Sequence, residues 1–292
     1  SRSPVDERSL STNGGAGHAI PAPPVRHRAK TGAARGWTAD AIPGSCQNAD
    51  VTSRPQPLPI RVVATKRLSQ RARRITFEGM VLVRSELPAS YLSLWFSDPE
   101  TATPRADRRA RLDKRTMTPR WVDRAATIMT VDFVLHGSGP ASEWAAAAQL
   151  GDVIWAGETK GGYVGPPPGS HVVLVGDDTA IPAIGTILEA LDATTRPTTV
   201  IEVVDGSDER PVSECRPTDP MWLHRGPDPS QTGVLTMNLI ETLAVPDDAY
   251  WWIAGERDAI RAMRDVLVED RGVSRDRLSL NAHWRLRATD PR

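Results

Sequence analysis

The chain has 292 residues, enough for two domains of ordinary size, and its 39% apolar and 25% charged residues are the proportions of a soluble globular protein. Basic and acidic residues balance at 36 each, which argues against a general nucleic-acid binder, and no apolar run approaches the roughly 18 residues that span a bilayer. The two cysteines, Cys46 and Cys215, are too few for an iron–sulfur cluster, so one-electron chemistry would need an organic cofactor or an outside partner.

Residues 1 to 56 are rich in Gly, Pro, Ser, Ala and Arg without a hydrophobic period. They are expected to form a disordered tail, because so little apolar surface cannot offset the entropy of ordering. The tail shows no charged-then-apolar export pattern, so the expected location is cytoplasmic. From Leu58 short apolar strands follow, at Ile60–Ala64, Arg74–Gly79 and Tyr91–Phe96, with turn residues between them, as in a closed antiparallel barrel. Between Arg54 and Arg124 there are 16 Lys or Arg against 7 Asp or Glu, a basic region suited to an acidic ligand or partner. The Asp98–Lys114 segment, with Arg105, Arg108, Arg109 and Arg111, has loop composition.

The next stretch carries the most chemistry. A strand Arg115-Thr116-Met117-Thr118-Pro119-Arg120 precedes an apolar strand at Val131–Leu135. His136-Gly137-Ser138-Gly139-Pro140-Ala141-Ser142-Glu143-Trp144-Ala145 then forms a turn that opens a helix running to about Leu150. The unpaired N–H groups and positive dipole end of such a helix make an anion site, and an arginine on a nearby strand completes a clamp on a phosphate. Gly151–Glu158 reads as the last barrel strand and its exit turn, and Gly161-Gly162 with Pro166-Pro167-Pro168-Gly169 as a linker.

Beyond the linker, His171–Val175 is a continuous apolar run, the mark of a parallel strand buried on both faces. Gly176-Asp177-Asp178-Thr179-Ala180-Ile181-Pro182-Ala183 leads into a helix ending near Leu191. Strand, glycine turn and helix in that order place a nucleotide at the carboxyl edge of a sheet, although the G-x-G-x-x-G spacing is missing. Adjacent turn carboxylates such as Asp177 and Asp178 are expected to cap the helix. Strands at Thr199–Val204 and Tyr250–Glu256 and helices at Gly233–Ala244 and Arg257–Asp270 complete an α/β domain, with Asp205 where an adenine ribose would lie.

These motifs, in this order, resemble the siderophore-interacting protein family, relatives of the ferredoxin-reductase fold that carry FAD on a β-barrel. Arg115–Arg120 is similar to the family's Arg-x-Tyr-Thr-x-Arg, and His136–Ala145 to its His-Gly-x-Gly-Pro-Ala-Ser-x-Trp-Ala. Gly176–Ala183 is similar to Gly-Asp-Glu-Thr-Ala-Leu-Pro-Ala, Trp252–Glu256 to Trp-x-Ala-Gly-Glu, and His283-Trp284-Arg285 to a closing Tyr-Trp-Arg. The resemblance covers about residues 58 to 287 and implies an FAD-binding antiparallel β-barrel over 57–165 and a parallel-sheet NAD(P)H-binding α/β domain over 170–292.

It further implies FAD contacts at Arg115, Met117, Thr118, Asp132, Val134, His136, Gly139, Pro140, Ala141, Ser142 and Trp144. Gly176, Asp177, Asp178, Thr179, Ala180, Gly255 and Glu256 would hold the nicotinamide nucleotide, and Trp284 and Arg285 would shape the substrate end. The implied reaction takes a hydride from NADH or NADPH onto FAD and reduces a ferric siderophore by single electrons, releasing ferrous iron. A ferredoxin is a further electron donor that the resemblance leaves open; nucleic acid and membrane insertion are not expected.

Two departures touch the cofactor: Met117 stands where the family has tyrosine, and Glu158 where it has proline. Loss of a stacking ring and an anion near a phosphate-binding face keep an alternative in view, a repurposed pocket catalysing a non-redox cyclisation in secondary metabolism. The histidines are dispersed without H-E-x-x-H or other metal-ligand spacing, and no G-x-S-x-G elbow supports a serine hydrolase. Most of the tryptophans, among them Trp95, Trp121, Trp144, Trp251, Trp252 and Trp284, are expected to pack in cores or between domains.

Overall fold

The computed structural model describes residues 56–97 and 113–286; all but the last residue of the expected tail and nearly all of the Asp98–Lys114 loop lie outside them. The first sheet contains seven strands: β1 (Leu58–Ser69), β2 (Ala72–Glu78), β3 (Leu92–Trp95), β4 (Lys114–Met117), β5 (Pro119–Asp123), β6 (Ile128–Val134) and β7 (Val153–Ala156). They pair antiparallel in the order β4-β3-β7-β1-β2-β6-β5. The edge strands β4 and β5 are joined by Thr118 alone. A residue spans only about 3.5 Å, so the sheet must curl until its two edges approach, giving a half-closed barrel. The single strand expected over Arg115–Arg120 is therefore two strands broken at Thr118.

Period-2 alternation places Ile60, Val62, Ile75, Phe77, Leu94, Val131, Phe133 and Ile154 inside the curl. Helix α1 (Pro140–Ala147) closes one mouth of this core with Ala145 fully buried. Arg73 secures its far end by donating to the carbonyls of Ala145, Ala146 and Ala148 at 2.8–2.9 Å, satisfying groups that a helix terminus otherwise leaves orphaned.

The second sheet is parallel: β8 (His171–Asp177), β9 (Arg196–Val203), β10 (Met221–His224), β11 (Tyr250–Glu256) and β12 (Leu278–Trp284), in the order β10-β9-β8-β11-β12. Helices α2 (Ile181–Ala190), α3 (Val234–Thr242) and α4 (Arg257–Asp265) cover it, and separate apolar clusters occupy its two faces. The strand order reverses between β8 and β11, the switch point at which doubly wound sheets bind ligands. The helix expected over Arg257–Asp270 is present, with its last turn, Val266–Asp270, wound as a π turn. Strands β10 and β12 escape a reading based on apolar runs, because they are edge strands with mixed, partly exposed side chains.

Polar ties fix the two sheets against each other. Arg74 on β2 makes a two-point ion pair with Asp132 on β6, at 2.6 and 2.9 Å, and also reaches Glu214 of the α/β half. Arg120 on β5 pairs with Glu189 on α2, at 2.8 Å for one oxygen, and Arg71 pairs with Asp205 at 3.1 Å and with the buried Asp208 at 2.7 Å. Asp205, expected beside a ribose, is engaged in the fold: it also accepts from the Ser207 backbone N–H at 2.9 Å. Gly185 on α2 leaves room for the Val212 carbonyl of the same half, 2.3 Å from where a Cβ would lie, and for Arg120 of β5, whose Nε would be 3.3 Å away.

Candidate functional site

Between the curled sheet and the parallel sheet lies a cleft of about 580 Å³, within the range of small-molecule and cofactor sites. Its barrel wall comes from the β4–β5 seam and from the turn into α1. Arg115 is half-buried on edge strand β4, opposite Leu94, and its Nη1 donates to the Lys114 carbonyl at 2.9 Å. Met117 lies half-buried between the cleft and the barrel core, and Thr118 lines the seam. Val134 and His136 continue this wall. Asp132 also borders the cleft, but its carboxylate is held in the two-point pair with Arg74, which limits its part to backing the wall.

The turn into α1 is built by its own side chains. Buried Ser142 accepts N–H bonds from His136 at 2.9 Å and Gly137 at 3.2 Å, pinning the backbone ahead of the helix. Glu143 reaches back to accept from the Gly139 N–H at 3.0 Å, a capping arrangement closed by the Glu143 N–H donating to the Gly139 carbonyl. Gly137 and Gly139 have φ of +80° and +83°, and a Cβ at Gly137 would meet nothing within 4 Å. Pro140 occupies the first turn, where its missing N–H costs nothing, and the first-turn N–H groups of Ala141 and Ser142 are left for a ligand at the cleft. Desolvation at the cleft wall, followed by the Arg115 charge, holds the His136 pKa below its ordinary value, so its imidazole is neutral at pH 7. Trp144 is a correction: it packs into the barrel core against Phe77, Phe96 and Phe133, with ring centroids 5.4–6.1 Å away, instead of facing the cleft.

The α/β wall departs further from expectation. Gly176, Asp177, Gly255 and Glu256 do gather at the switch point, but around a crevice of about 20 Å³, room for about one water and not for a nucleotide ring. Buried Asp177 accepts from the Thr179 N–H at 2.9 Å and hydroxyl at 2.5 Å, and from the Trp284 indole at 2.7 Å. Buried Glu256 accepts from the N–H groups of Asp258 and Ala259 as the N-cap of α4, and from the Leu286 N–H at 3.0 Å. Asp178 is buried beside Arg225 and Arg210; burial, then the neighbouring Asp177 charge, push its carboxyl up to about 7. Neither aspartate caps α2: the N-cap residue is Ala180, without a side-chain bond. Arg285 lies largely exposed, with Nε 3.9 Å from Asp258, and is not brought to the cleft.

Thr179 and Trp284 are the expected α/β residues that do line the cleft. With them stand Tyr91, Thr116, Ser138, Pro182, Trp252 and His283, which the sequence reading did not assign to the site. His283 Nδ1 lies 3.3 Å from the Thr179 carbonyl, which can only accept, so Nδ1 carries the proton and Nε2 is an acceptor in the neutral ring. Desolvation lowers the His283 pKa against the opposing charge of Asp177. The adjacency of His283 to a motif tryptophan was the available signal for it. Glu158, the other departure, does not line the cleft: it pairs with Lys160 at 3.2 Å and Arg84 at 3.3 Å, and Lys160 first holds its carboxyl below the usual range. Among the described residues no cluster of three or more His, Cys, Asp or Glu could hold a metal ion.

Residues 61–161 match the family model of the siderophore-interacting FAD-binding domain, and residues 169–287 that of siderophore-interacting protein. The uncharacterized protein Rv2895c of Mycobacterium tuberculosis is 32% identical over 255 residues, covering 78% of this chain and 90% of that protein. The ferric vibriobactin reductase ViuB of Vibrio cholerae is 31% identical over 182 residues, 59% of this chain and 64% of its own length. The crystal structure of a siderophore utilization protein from T. fusca superposes with a TM-score of 0.67 at 31% identity, covering 81% of this chain and 95% of that one. The order of a curled antiparallel sheet and then a parallel sheet is that of the ferredoxin-reductase-like fold.

Proposed function

The chain belongs to the siderophore-interacting protein family, and we propose that it is an FAD-dependent NAD(P)H oxidoreductase that reduces ferric siderophores and so releases ferrous iron. The observation that carries this reading is the cleft itself, in which a helix start, an arginine and a flexible apolar side chain face an aromatic wall. In this reading residues 57–165 bind FAD and residues 170–292 receive NAD(P)H, at the switch-point side of the same cleft. The relative ViuB is named for ferric vibriobactin reduction, and an Escherichia coli relative for NADPH-dependent ferric-chelate reduction. Among the described residues no helix is long and apolar enough to cross a membrane, and the reading places the protein in the cytoplasm, where NAD(P)H is available.

The donors fit FAD. Arg115 and the Ala141 and Ser142 N–H groups offer charge and hydrogen bonds to a diphosphate, while Met117, Thr118 and Val134 offer a surface of the right polarity for a flavin ring. Bound FAD supplies the step between two-electron hydride chemistry and one-electron transfer. The chain contributes position: the seam at Thr118 and the Ser142-pinned turn set one wall, and Thr179, Pro182 and Trp284 set the other, against which a nicotinamide can lie. Neutral His136 and His283 leave the cleft without a second strong cation, among the described residues, to compete with Arg115 for the diphosphate. With Glu158 neutralised away from the cleft, the non-redox reading loses one of its two supports.

The test is an absorbance spectrum of the purified chain with FAD, then NAD(P)H, then a ferric chelate. Flavin bands that appear on binding, bleach with NAD(P)H and return with the chelate are expected. Failure to bind at excess FAD overturns the reading, and bleaching only by reduced ferredoxin replaces NAD(P)H by a protein donor.

A further inference from the structure

We propose that Asp177 is a positioning residue whose carboxylate clamps the end of β12, so that Trp284 and His283 form a fixed wall of the cleft. Within the Gly176–Ala180 motif, Asp177 then serves this strand instead of touching the nucleotide directly, while Thr179 lines the cleft. Strand β12 is a sheet edge, paired with β11 on one side only, and the ends of such strands fray unless tied.

Three observations meet at this point. The Trp284 indole donates to Asp177 Oδ2 at 2.7 Å, across 107 positions of sequence, while Oδ1 accepts from Thr179. The register then slips between Gly255 and Glu256: Gly255 faces Ala282 but Glu256 faces Trp284, leaving His283 as the extra residue of a bulge. The bulge sets the register at which His283 and Trp284 follow Leu280, Asn281 and Ala282 along the cleft. Gly255 makes the room: at φ +149°, a Cβ there would lie 2.6 Å from Asp177 Oδ2. Thr179 adds a second contact, through the His283 Nδ1 proton, and Glu256 holds the strand beyond the bulge through the Leu286 N–H. The two glycine–carboxylate motifs thus converge on one strand end, and the side chain they fix, Trp284, is the part exposed to a ligand.

The inference rests on the proposed reductase reading only for its catalytic consequence, and the first measurement needs no cofactor. In the full chain labelled at its tryptophan indoles, the Trp284 Nε1–H resonance is assigned by its loss in Trp284→Phe. Exchange of that proton with solvent is expected to rise about tenfold or more in Asp177→Asn, because the amide keeps an oxygen at only one of the two positions that accept from Thr179 and from the indole. Unchanged exchange overturns the clamp, whether or not the protein binds flavin. In the second measurement, Asp177→Asn, Trp284→Phe and the double variant are compared for the rate of flavin reduction by NADPH and for KM. Equal losses in the three variants, with KM for NADPH moved no more by Asp177→Asn than by Trp284→Phe, are expected. A selective rise in KM for NADPH in Asp177→Asn alone makes Asp177 a nucleotide contact and overturns the proposal. If Asp177→Asn does not fold, Trp284→Phe still decides: an unaltered reduction rate overturns the proposal, and a slower rate supports it.

Discussion

The two glycine-containing turns at the cleft both lead into a helix and behave differently in space. In His136–Ser142 the side chains of Ser142 and Glu143 hold the turn from behind, leaving glycine backbone and helix N–H groups toward the cleft. In Gly176–Ala180 the side chains themselves are engaged, Asp177 by Thr179 and Trp284, while Asp178 lies buried beside two arginines. The first turn is open to a ligand and the second is closed on the protein. A motif's residues show that a turn is demanding; only its neighbours show whether the demand comes from a ligand or from the fold.

The contrast is sharpest at the glycines. A Cβ at Gly176 would lie 2.3 Å from the Ala180 Cβ and 3.0 Å from the Ala254 carbonyl, so Gly176→Ala is expected to cost about 2–3 kcal/mol in urea unfolding. Gly137→Ala adds a Cβ to open space and strains only a φ of +80°, which should cost about 1 kcal/mol. Equal losses at the two sites would erase the distinction between a closed and an open turn.

On the open side, Arg115→Ala is expected to raise the FAD dissociation constant about tenfold to a hundredfold, the value of a charge-assisted bond to phosphate. Flavin fluorescence titration measures it, and an unchanged constant would remove Arg115 from the diphosphate site. On the closed side, stability itself should titrate. The Asp178 pKa is raised from 3.8 to about 7 in the fold, so the folded state holds this proton more tightly than the unfolded chain. Its stabilising effect is full below pH 3.8 and is lost as pH rises through about 7. Asp178→Asn should flatten that part of the stability–pH curve; an unchanged slope would show that Asp178 is not the group responsible. The smallest effect is at the departure from the family: Met117→Tyr restores a ring against the flavin and should tighten FAD by about fivefold, near 1 kcal/mol. Weaker binding in that variant would mean that the seam at Thr118 has no room for the ring.

Much of the fold was legible because its signals are local. Alternation in Arg74–Gly79, the continuous apolar run His171–Val175 and the helix start at Pro140 are properties of contiguous residues, and each became the element expected. Strands β10 and β12 were not legible, since an edge strand is defined by the partner it borrows and not by its own apolar pattern. The site divides along the same line. Arg115, Met117 and Thr118 line the cleft, as do His136, Ser138, Gly139, Ala141 and Ser142 of the turn into α1. Trp144 and Glu256 carry equally specific motif letters, yet the first fills the barrel core and the second caps a helix and holds Leu286.

The sequence by itself determined the order and kind of the elements and the backbone of the turn into α1, because periodicity, caps and left-handed glycines act over a few neighbouring residues. Only the tertiary structure decided which side chains reach the cleft. Asp177 meets Trp284 across 107 positions, and Asp132 meets Arg74 across 58, so a carboxylate's partner, and with it the choice between ligand and fold, is set by packing that no local pattern encodes.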